Sequence, residues 1–216
     1  MVIDAWMQHP GQEWLNNEIF DSLRRWKPGP WSESAQPVEK TLEAMDEAGV
    51  TRGMLCAWLG PQGAMVSNQS VADLRAAHPD RFVGVASVDL TRPMKAVAGL
   101  RHYVEDHGFR ALRVLPWLWG LPPDGHIGVP WLNEMISLAT KYPNVHIDTS
   151  AYTCARYPRE LIEYMNAHGR RKVLFGSNHP FWRAGDCLTS LDQLGLDDTT
   201  RQAFRHGNAD SVFRLT

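Results

Sequence analysis

The chain has 216 residues, a formal net charge of −2 and 44% hydrophobic residues, which is the composition of one globular domain, here residues 1–216. It contains no basic run that would indicate nucleic-acid binding and no apolar run long enough to span a membrane. The three cysteines lack CxxC spacing, so we expect reduced thiols. A first strand directly at the N-terminus leaves no room for a signal peptide, and we therefore expect a cytoplasmic protein.

Short apolar strands alternate with helical segments along the chain, a pattern typical of parallel α/β folds. The predicted strands are Val2–Trp6, Gly53–Trp58, Phe82–Val88, Phe109–Leu115, Val145–Thr149 and Lys172–Gly176. The predicted helices are Val38–Ala48, Ser67–Ala77, Pro93–His107, Trp131–Lys141, Pro158–Ala167, Ala184–Gln193 and Asp197–Val212. A closed TIM barrel has eight such β/α units, so this chain is two units short.

Six local strings resemble, in order, segments of the amidohydrolase-related metalloenzymes (the amidohydrolase 2 family). These strings are Ala48–Leu55, His78–Ala86, Gly108–Val114, Tyr142–Ser150, Lys172–Asn178 and Gly207–Leu215. Together they cover nearly the whole chain. The resemblance implies an α/β fold derived from the TIM barrel and a hydrolase-type site at the carboxyl ends of its strands.

The resemblance also implies an internal deletion. Pro122–Gly125 runs directly into a Gly125–Gly128 string that is similar to the end of the family's sixth strand, so the equivalents of strands 5 and 6 are missing as β/α units. We therefore expect a truncated, parallel (β/α)6-like barrel, with an open sheet whose edges are covered as the alternative. Because the deletion would uncover apolar strand faces, we also expect a homodimer that covers the gap.

The metal site of the family, as the resemblance implies it, uses two His of an HxH motif on strand 1, one His on each of strands 5 and 6, and an Asp on strand 8. Here Trp6 and Gln8 occupy the HxH positions, His126 matches the strand-6 His, and Asn178 replaces the Asp. A neutral amide is no general base and a poor metal ligand. Since catalytic zinc needs three protein ligands, we expect no cofactor, although the family would imply a divalent metal such as zinc.

Polar residues near the predicted strand ends make up a metal-free candidate site. The catalytic candidates are His126, Asp4, Arg113 and Asn178. A His beside a carboxylate can act as general base, and Arg113 can bind a substrate carboxylate in bidentate fashion. The substrate-binding candidates are Trp6, Gln8, His9, Trp58, Trp117, Trp119 and His179.

Each candidate has a structural alternative. Asp4 and Asp148 can bind loop amides, Arg113 can form a structural ion pair with a carboxylate such as Asp89, and the tryptophans can be ordinary packing. His126 can be an inert residue at a helix N-terminus. His9 and His179 directly follow altered ligand positions, and they would reach a metal only if the strand shifted by one residue.

Two hypotheses about function remain. The favoured one is an amidohydrolase-like protein that has lost most of its metal site and is catalytically silent or metal-independent, with a small molecule as a possible ligand and neither nucleic acid nor membrane as partner. The alternative is an active hydrolase or decarboxylase that acts on a small aromatic or carboxylated substrate.

Overall fold

The computed structural model describes residues 1–15, 17–27, 29–89, 91–119 and 132–216. Its strands are β1 Val2–Met7, β2 Val50–Cys56, β3 Trp58–Gly60, β4 Gly63–Val66, β5 Phe82–Ser87, β6 Ala111–Arg113, β7 Ile147–Asp148 and β8 Val173–Leu174. Four of them form a parallel half-barrel in the order β1-β2-β5-β6. Because consecutive parallel strands need crossover connections, helices cover the outside of this sheet.

The parallel pair β7–β8 joins the half-barrel beside β1. The amide of Ala5 donates to the carbonyl of Phe175 (2.9 Å), and the amide of Asn178 donates to the carbonyl of Trp6 (2.8 Å). The strands of the half-barrel and of this pair therefore point the same way, and their carboxyl ends meet at one mouth. Residues 120–131 follow β6 and lie outside the described residues, so closure of six strands into a barrel stays a prediction.

The helices surround this sheet. Their bounds are α1 Gln12–Leu15, α2 Asp21–Trp26, α3 Pro30–Glu33, α4 Val38–Glu47, α5 Asn68–Ala77, α6 Pro93–Glu105, α7 Leu132–Lys141, α8 Arg159–Asn166, α9 Ala184–Leu188, α10 Asp198–Gln202 and α11 Asn208–Phe213. Local chemistry sets their ends: the hydroxyl of Ser67 accepts from the amide of Ser70 at the start of α5. Gly49 follows α4 at a φ of +65°, a value that favours glycine.

The structure differs from the sequence-based elements in several places: β7 and β8 have two residues each where the sequence predicts five, and the predicted helix Ala184–Gln193 ends at Leu188. The second predicted strand ends at Cys56, and Trp58 belongs instead to an antiparallel hairpin of β3 and β4. The stretch between β1 and α4, which shows no periodicity, contains the short helices α1 to α3. These helices are too short to produce a helical repeat of apolar residues, so a periodicity argument misses them.

An aromatic cluster fills one side of the mouth and consists of Trp14, Phe20, Trp31, Trp58 and Phe181. Each of these side chains is at most 8% exposed. Trp14 stacks on Phe20 with ring centroids 3.9 Å apart, and Trp58 meets Phe20 edge-on at 5.3 Å. Burial of such large rings makes a major contribution to stability, so the α1–α3 segment is an integral part of the core.

The other side of the sheet carries exposed apolar side chains. Met94, Val97 and Val104 on α6, and Leu112 and Val114 on and next to β6, are each more than 40% exposed. The predicted homodimer stays a prediction, and light scattering of the purified protein tests it. Within the described residues, no helix is both long enough and apolar enough to cross a membrane.

Candidate functional site

Three side chains at the junction of β1 and β8 hydrogen-bond one another. The indole Nε1 of Trp6 donates to Asn178 Oδ1 at 3.1 Å. The amide of Gln8 is fully buried, and in the orientation that satisfies its neighbours it donates to the His179 carbonyl (2.8 Å) and accepts from Trp6 Nε1 (3.2 Å). Asn178 has a φ of +63°, a conformation that Asn tolerates better than most residues. Their polar groups therefore find partners within the junction.

Asp4 lies in the same junction and is 1% exposed. One carboxylate oxygen accepts from the amides of Trp6 (3.1 Å) and Ser177 (2.9 Å), and the other accepts from the Ser177 hydroxyl at 2.5 Å. Burial raises the pKa of Asp4 to about 7, against the opposing effect of these hydrogen bonds. These hydrogen bonds connect β1 to the segment that follows β8. They correspond to the structural alternative for Asp4, in which its carboxylate binds loop amides.

Arg113 lies at the end of β6 and is 5% exposed. Its guanidinium carbon is 3.8 Å from the ring centroids of both Trp6 and Trp58, so the cation is held between two indoles. Burial lowers its pKa to about 10, which still leaves it charged at neutral pH. It forms no ion pair with a described carboxylate, and Asp89 pairs instead with Arg92.

Asp148 lies at the end of β7, and its side chain is open to solvent. Protein atoms nevertheless surround it closely enough to raise the pKa of Asp148, with Arg113 acting in the opposite direction. One carboxylate oxygen accepts from the Ser150 amide at 2.7 Å.

His9 and His179 line cavities that do not include Arg113. His179 lines a cavity of about 440 Å³ between α4 and the segment after β8, and His9 lines a second one of about 200 Å³. Burial lowers the pKa of His179 to about 4, so its imidazole is neutral near pH 7. His9 Nδ1 is 2.9 Å from the Thr41 hydroxyl, and burial lowers its pKa as well.

The structure brings together Trp6, Gln8, Asn178, Arg113 and Trp58. Trp119 is half-buried in the turn after β6, whereas His126 and the side chain of Trp117 lie outside the described residues. Within the described part of the chain, no group of three or more His, Cys, Asp or Glu side chains is arranged to hold a metal ion.

Sequence reasoning named Asp148 only as a residue at a strand end and did not single out Gly176. A signal was present in the Asp148–Ser150 and Gly176–Asn178 segments, where polar or small residues end two neighbouring strands. Neither segment by itself reveals that the two face each other.

Comparisons with known proteins agree on the fold. A family model described as amidohydrolase matches residues 25–126 and 125–215. An uncharacterised TIM-barrel protein from Bordetella bronchiseptica is 22% identical, with a TM-score of 0.84 over 99% of this chain and 98% of that chain. No protein of curated function matches this chain.

Two further solved structures are enzymes. A 2,6-dihydroxybenzoate decarboxylase from Rhizobium is 18% identical, with a TM-score of 0.59 over 98% of this chain and 99% of that one. A 5-carboxyvanillate decarboxylase from Sphingomonas paucimobilis is 13% identical, with a TM-score of 0.64 over 100% and 99% of the two chains. At these identities the likeness shows a TIM-barrel-like α/β fold and no more.

Proposed function

Because this chain belongs to the amidohydrolase family, we propose that it uses the family's strand-end mouth to bind a small carboxylate, without the family's metal chemistry. The proposal has two parts. The residues at the metal-ligand positions are unsuited to a metal, and the residues on the opposite side of the mouth are suited to an anion.

The fit of a divalent metal is poor at the β1–β8 junction. Trp6 has no lone pair to donate, and the amides of Gln8 and Asn178 are neutral groups that already bond to Trp6 and to the His179 carbonyl. Binding a metal would require breaking this network, and none of these three side chains would supply an anionic ligand in return. We therefore derive no chemical step through a metal.

The observation that carries the proposal is a pair of unmet hydrogen-bond donors beside the mouth. Arg113 Nε and Trp58 Nε1 are both buried and have no acceptor among the residues that the structure describes. Trp58 stacks on the guanidinium of Arg113, so the two donors belong to one assembly. Buried donors without partners are rare, because each costs about 1–3 kcal/mol, and these two call for an acceptor that the described residues do not supply.

A carboxylate is the acceptor that matches this assembly. Its two oxygens fit the forked N–H groups of a guanidinium, and its charge offsets that of the buried cation. Trp6 and Trp58 both contact the guanidinium closely, so little conformational freedom remains to be lost on binding. The ligand is small because the aromatic cluster occupies one side of the mouth.

Titration with benzoate, followed by calorimetry and by tryptophan fluorescence, tests the proposal in the native protein, Arg113→Met and Arg110→Met. Arg110 is an exposed arginine of the same segment and provides the matched control. We expect Arg113→Met to weaken binding by about 30-fold or more, which corresponds to the ~2 kcal/mol lower limit for losing a buried charged partner.

A stability measurement accompanies the titration. Methionine keeps the apolar volume between the two indoles and removes a buried charge that pairs with none of the described carboxylates. We expect the free energy of unfolding of Arg113→Met to stay within about 1 kcal/mol of the native value. Equal benzoate affinity in both arginine variants, or a large loss of stability in Arg113→Met, would overturn the proposal.

A second candidate function is metal-independent decarboxylation of the same ligand. When the C–CO₂ bond breaks, its electron pair remains on carbon, and that carbon must then take a proton. Asp148, at the end of β7, is the acidic side chain that would deliver it. Release of CO₂ in the presence of a chelator, and its loss in Asp148→Asn, would support this candidate over binding alone.

The family comparison also supports the proposed internal deletion. The two matched segments meet at residues 125 and 126, where the sequence passes from Pro122–Gly125 into the Gly125–Gly128 string. A family model that matches in two pieces joined at one point is what removal of an internal block would produce. Removal of whole β/α units would leave the remaining strands parallel.

A further inference from the structure

The cavity of about 440 Å³ that His179 lines shares no residue with the Arg113 assembly. It lies between α3, α4 and the segment after β8, and its volume is within the range of about 300–1,000 Å³ that is typical of small-molecule sites. Flat, rigid side chains, which pack well against an aromatic ring, make up the apolar part of its lining. They are Pro10, Pro30, Trp31, Pro180 and Phe181.

Two side chains that line this cavity have polar atoms without partners. Neither the indole Nε1 of Trp31 nor a ring nitrogen of His179 hydrogen-bonds with any residue that the structure describes. The backbone of His179 is held firmly, because its amide donates to the Ser177 hydroxyl (2.9 Å) and its carbonyl accepts from the backbone amide of Gln8 (2.8 Å). The residue is therefore fixed in place, while its imidazole is left to a ligand.

Trp31 and His179 belong to one wall of the cavity. Trp31 meets Phe181 edge-on with ring centroids 4.8 Å apart, and Phe181 is two residues beyond His179. The amide of Phe181 donates to the carbonyl of Asn178 at 3.1 Å, which makes residues 178–181 a turn. Trp31 thus packs on the turn that carries His179, and both side chains border one space of small-molecule size.

Gly29 leaves the N–H edge of Trp31 uncovered. A Cβ built on Gly29 would lie 3.1 Å from both Cδ1 and Nε1 of Trp31, which is closer than an ordinary van der Waals contact. The backbone of Gly29 is extended, with a φ of −179°, so no conformational strain requires glycine at this position. Since Gly29 and Trp31 both line the cavity, the missing side chain exposes the indole donor to it.

The charges around the cavity balance in sign. Among the described residues, three cations and three anions line it: Lys27, Lys40, Arg183, Glu43, Glu47 and Asp186. Lys40 Nζ is 2.6 Å from Glu43 Oε2, and Lys27 Nζ is 3.1 Å from the ring centroid of Trp182. Two of the cations therefore already have partners. A charged ligand would lose hydration without meeting a net opposite charge, so the cavity favours a neutral one.

We propose that this cavity binds a small, neutral aromatic carboxamide, whose carbonyl accepts from Trp31 Nε1 and whose NH₂ group donates to His179. An indole N–H can only donate, whereas an imidazole nitrogen without a proton accepts. A primary carboxamide has the matching acceptor and donor on one carbon, and its ring packs against the apolar lining. This site is additional to the carboxylate site of the proposed function and does not depend on it.

Four probes of similar size test the hydrogen bonds and the charge separately. Benzamide has both the acceptor and the donor, N,N-dimethylbenzamide has the acceptor alone, toluene has neither, and benzamidinium carries a positive charge. Binding of each is measured by saturation-transfer NMR and calorimetry at neutral pH. The proteins are the native chain, Trp31→Phe, His179→Phe and Gly29→Ala, with Trp26→Phe as the control because Trp26 is 64% exposed.

In the native protein, we expect benzamide to bind about tenfold or more tightly than each of the other probes, since it alone satisfies both groups without a charge. Trp31→Phe and His179→Phe should each weaken benzamide binding about fivefold or more and leave toluene binding nearly unchanged. A merely structural loss would weaken both. Gly29→Ala should weaken benzamide binding because its Cβ crowds Trp31 Nε1, and Trp26→Phe should have no effect.

The outcomes separate this site from the mouth. Circular dichroism checks that each variant folds, and the ranking of the probes on the native protein needs no variant. If benzamide binds no more tightly than toluene, or if its affinity is unchanged in both Trp31→Phe and His179→Phe, the inference is wrong. Benzamide should bind equally well to Arg113→Met, and a loss there would place the amide in the mouth and overturn the inference. Failure of benzoate to bind the native protein would overturn the proposed function alone.

Discussion

On one side of the mouth the buried polar groups have hydrogen-bond partners, and on the other side Arg113 Nε has none among the described residues. At the β1–β8 junction, Trp6, Gln8 and Asn178 satisfy one another, and Asp4 accepts three hydrogen bonds from its neighbours. On the β6–β7 side, Arg113 Nε has no acceptor within the described part of the chain, and Asp148 is open to solvent. The junction occupies the positions where the resemblance places the family's metal ligands, and we propose that in this chain it is a structural contact. Unmet polar groups, which indicate a ligand, are found on the other side.

The largest expected effect tests whether packing of the aromatic cluster, which fills one side of the mouth, stabilises the protein. Trp14 is fully buried among Phe20, Trp58 and Phe181, and Trp14→Ala would remove the centre of that cluster. We expect a loss of about 3–5 kcal/mol in the free energy of unfolding, measured by denaturant titration. Trp26, which is 64% exposed, provides the control, and Trp26→Ala should cost far less. Equal losses would mean that the cluster is not part of the core.

The next effect concerns how the free energy of unfolding depends on pH through Asp4 at the β1–β8 junction. Burial raises the folded-state pKa of Asp4 to about 7, above the value of about 3.9 in an unfolded chain. The folded protein therefore binds this proton more tightly, so the contribution of Asp4 to stability falls as the pH rises from about 4 to about 7. The change amounts to a few kcal/mol, since each unit of pKa difference corresponds to about 1.4 kcal/mol.

Asp4→Asn removes the titrating group and keeps an acceptor for the amides of Trp6 and Ser177. We expect the stability of this variant to fall less between pH 4 and pH 7 than that of the native protein and of Asp80→Asn, an exposed control. If the free energy of unfolding changed with pH in parallel for all three proteins, Asp4 would not hold a buried proton at the β1–β8 junction.

The smallest expected effect is on metal binding. Adding zinc or manganese to chelator-treated protein should leave the melting temperature unchanged, because a ligand stabilises a protein only by binding its folded state. The restored Asn178→Asp variant should behave the same way, since Trp6 and Gln8 still occupy the neighbouring ligand positions. A rise of several degrees in the melting temperature at micromolar metal would show that the β1–β8 junction still binds a metal.

Much of the architecture could be predicted from sequence, because apolar periodicity is a local property. Strand β1 and helices α4 and α5 agree with their predicted bounds to within one or two residues. The amidohydrolase resemblance, carried by short strings such as Lys172–Asn178, is confirmed by the family comparison. The helices α1 to α3 and the β3–β4 hairpin could not be predicted, since their aromatic residues pack against segments far away in sequence.

The candidate site divides in the same way. The sequence by itself determined which residue types, Trp6, Gln8 and Asn178, stand at the positions where the resemblance implies metal ligands. Only the tertiary structure decided that these three bond to one another, that two indoles enclose Arg113, and that Gly176 leaves room for Asp148. The reason is physical: burial, hydrogen bonding and electrostatic fields depend on which strands become neighbours in space, and no local pattern encodes that.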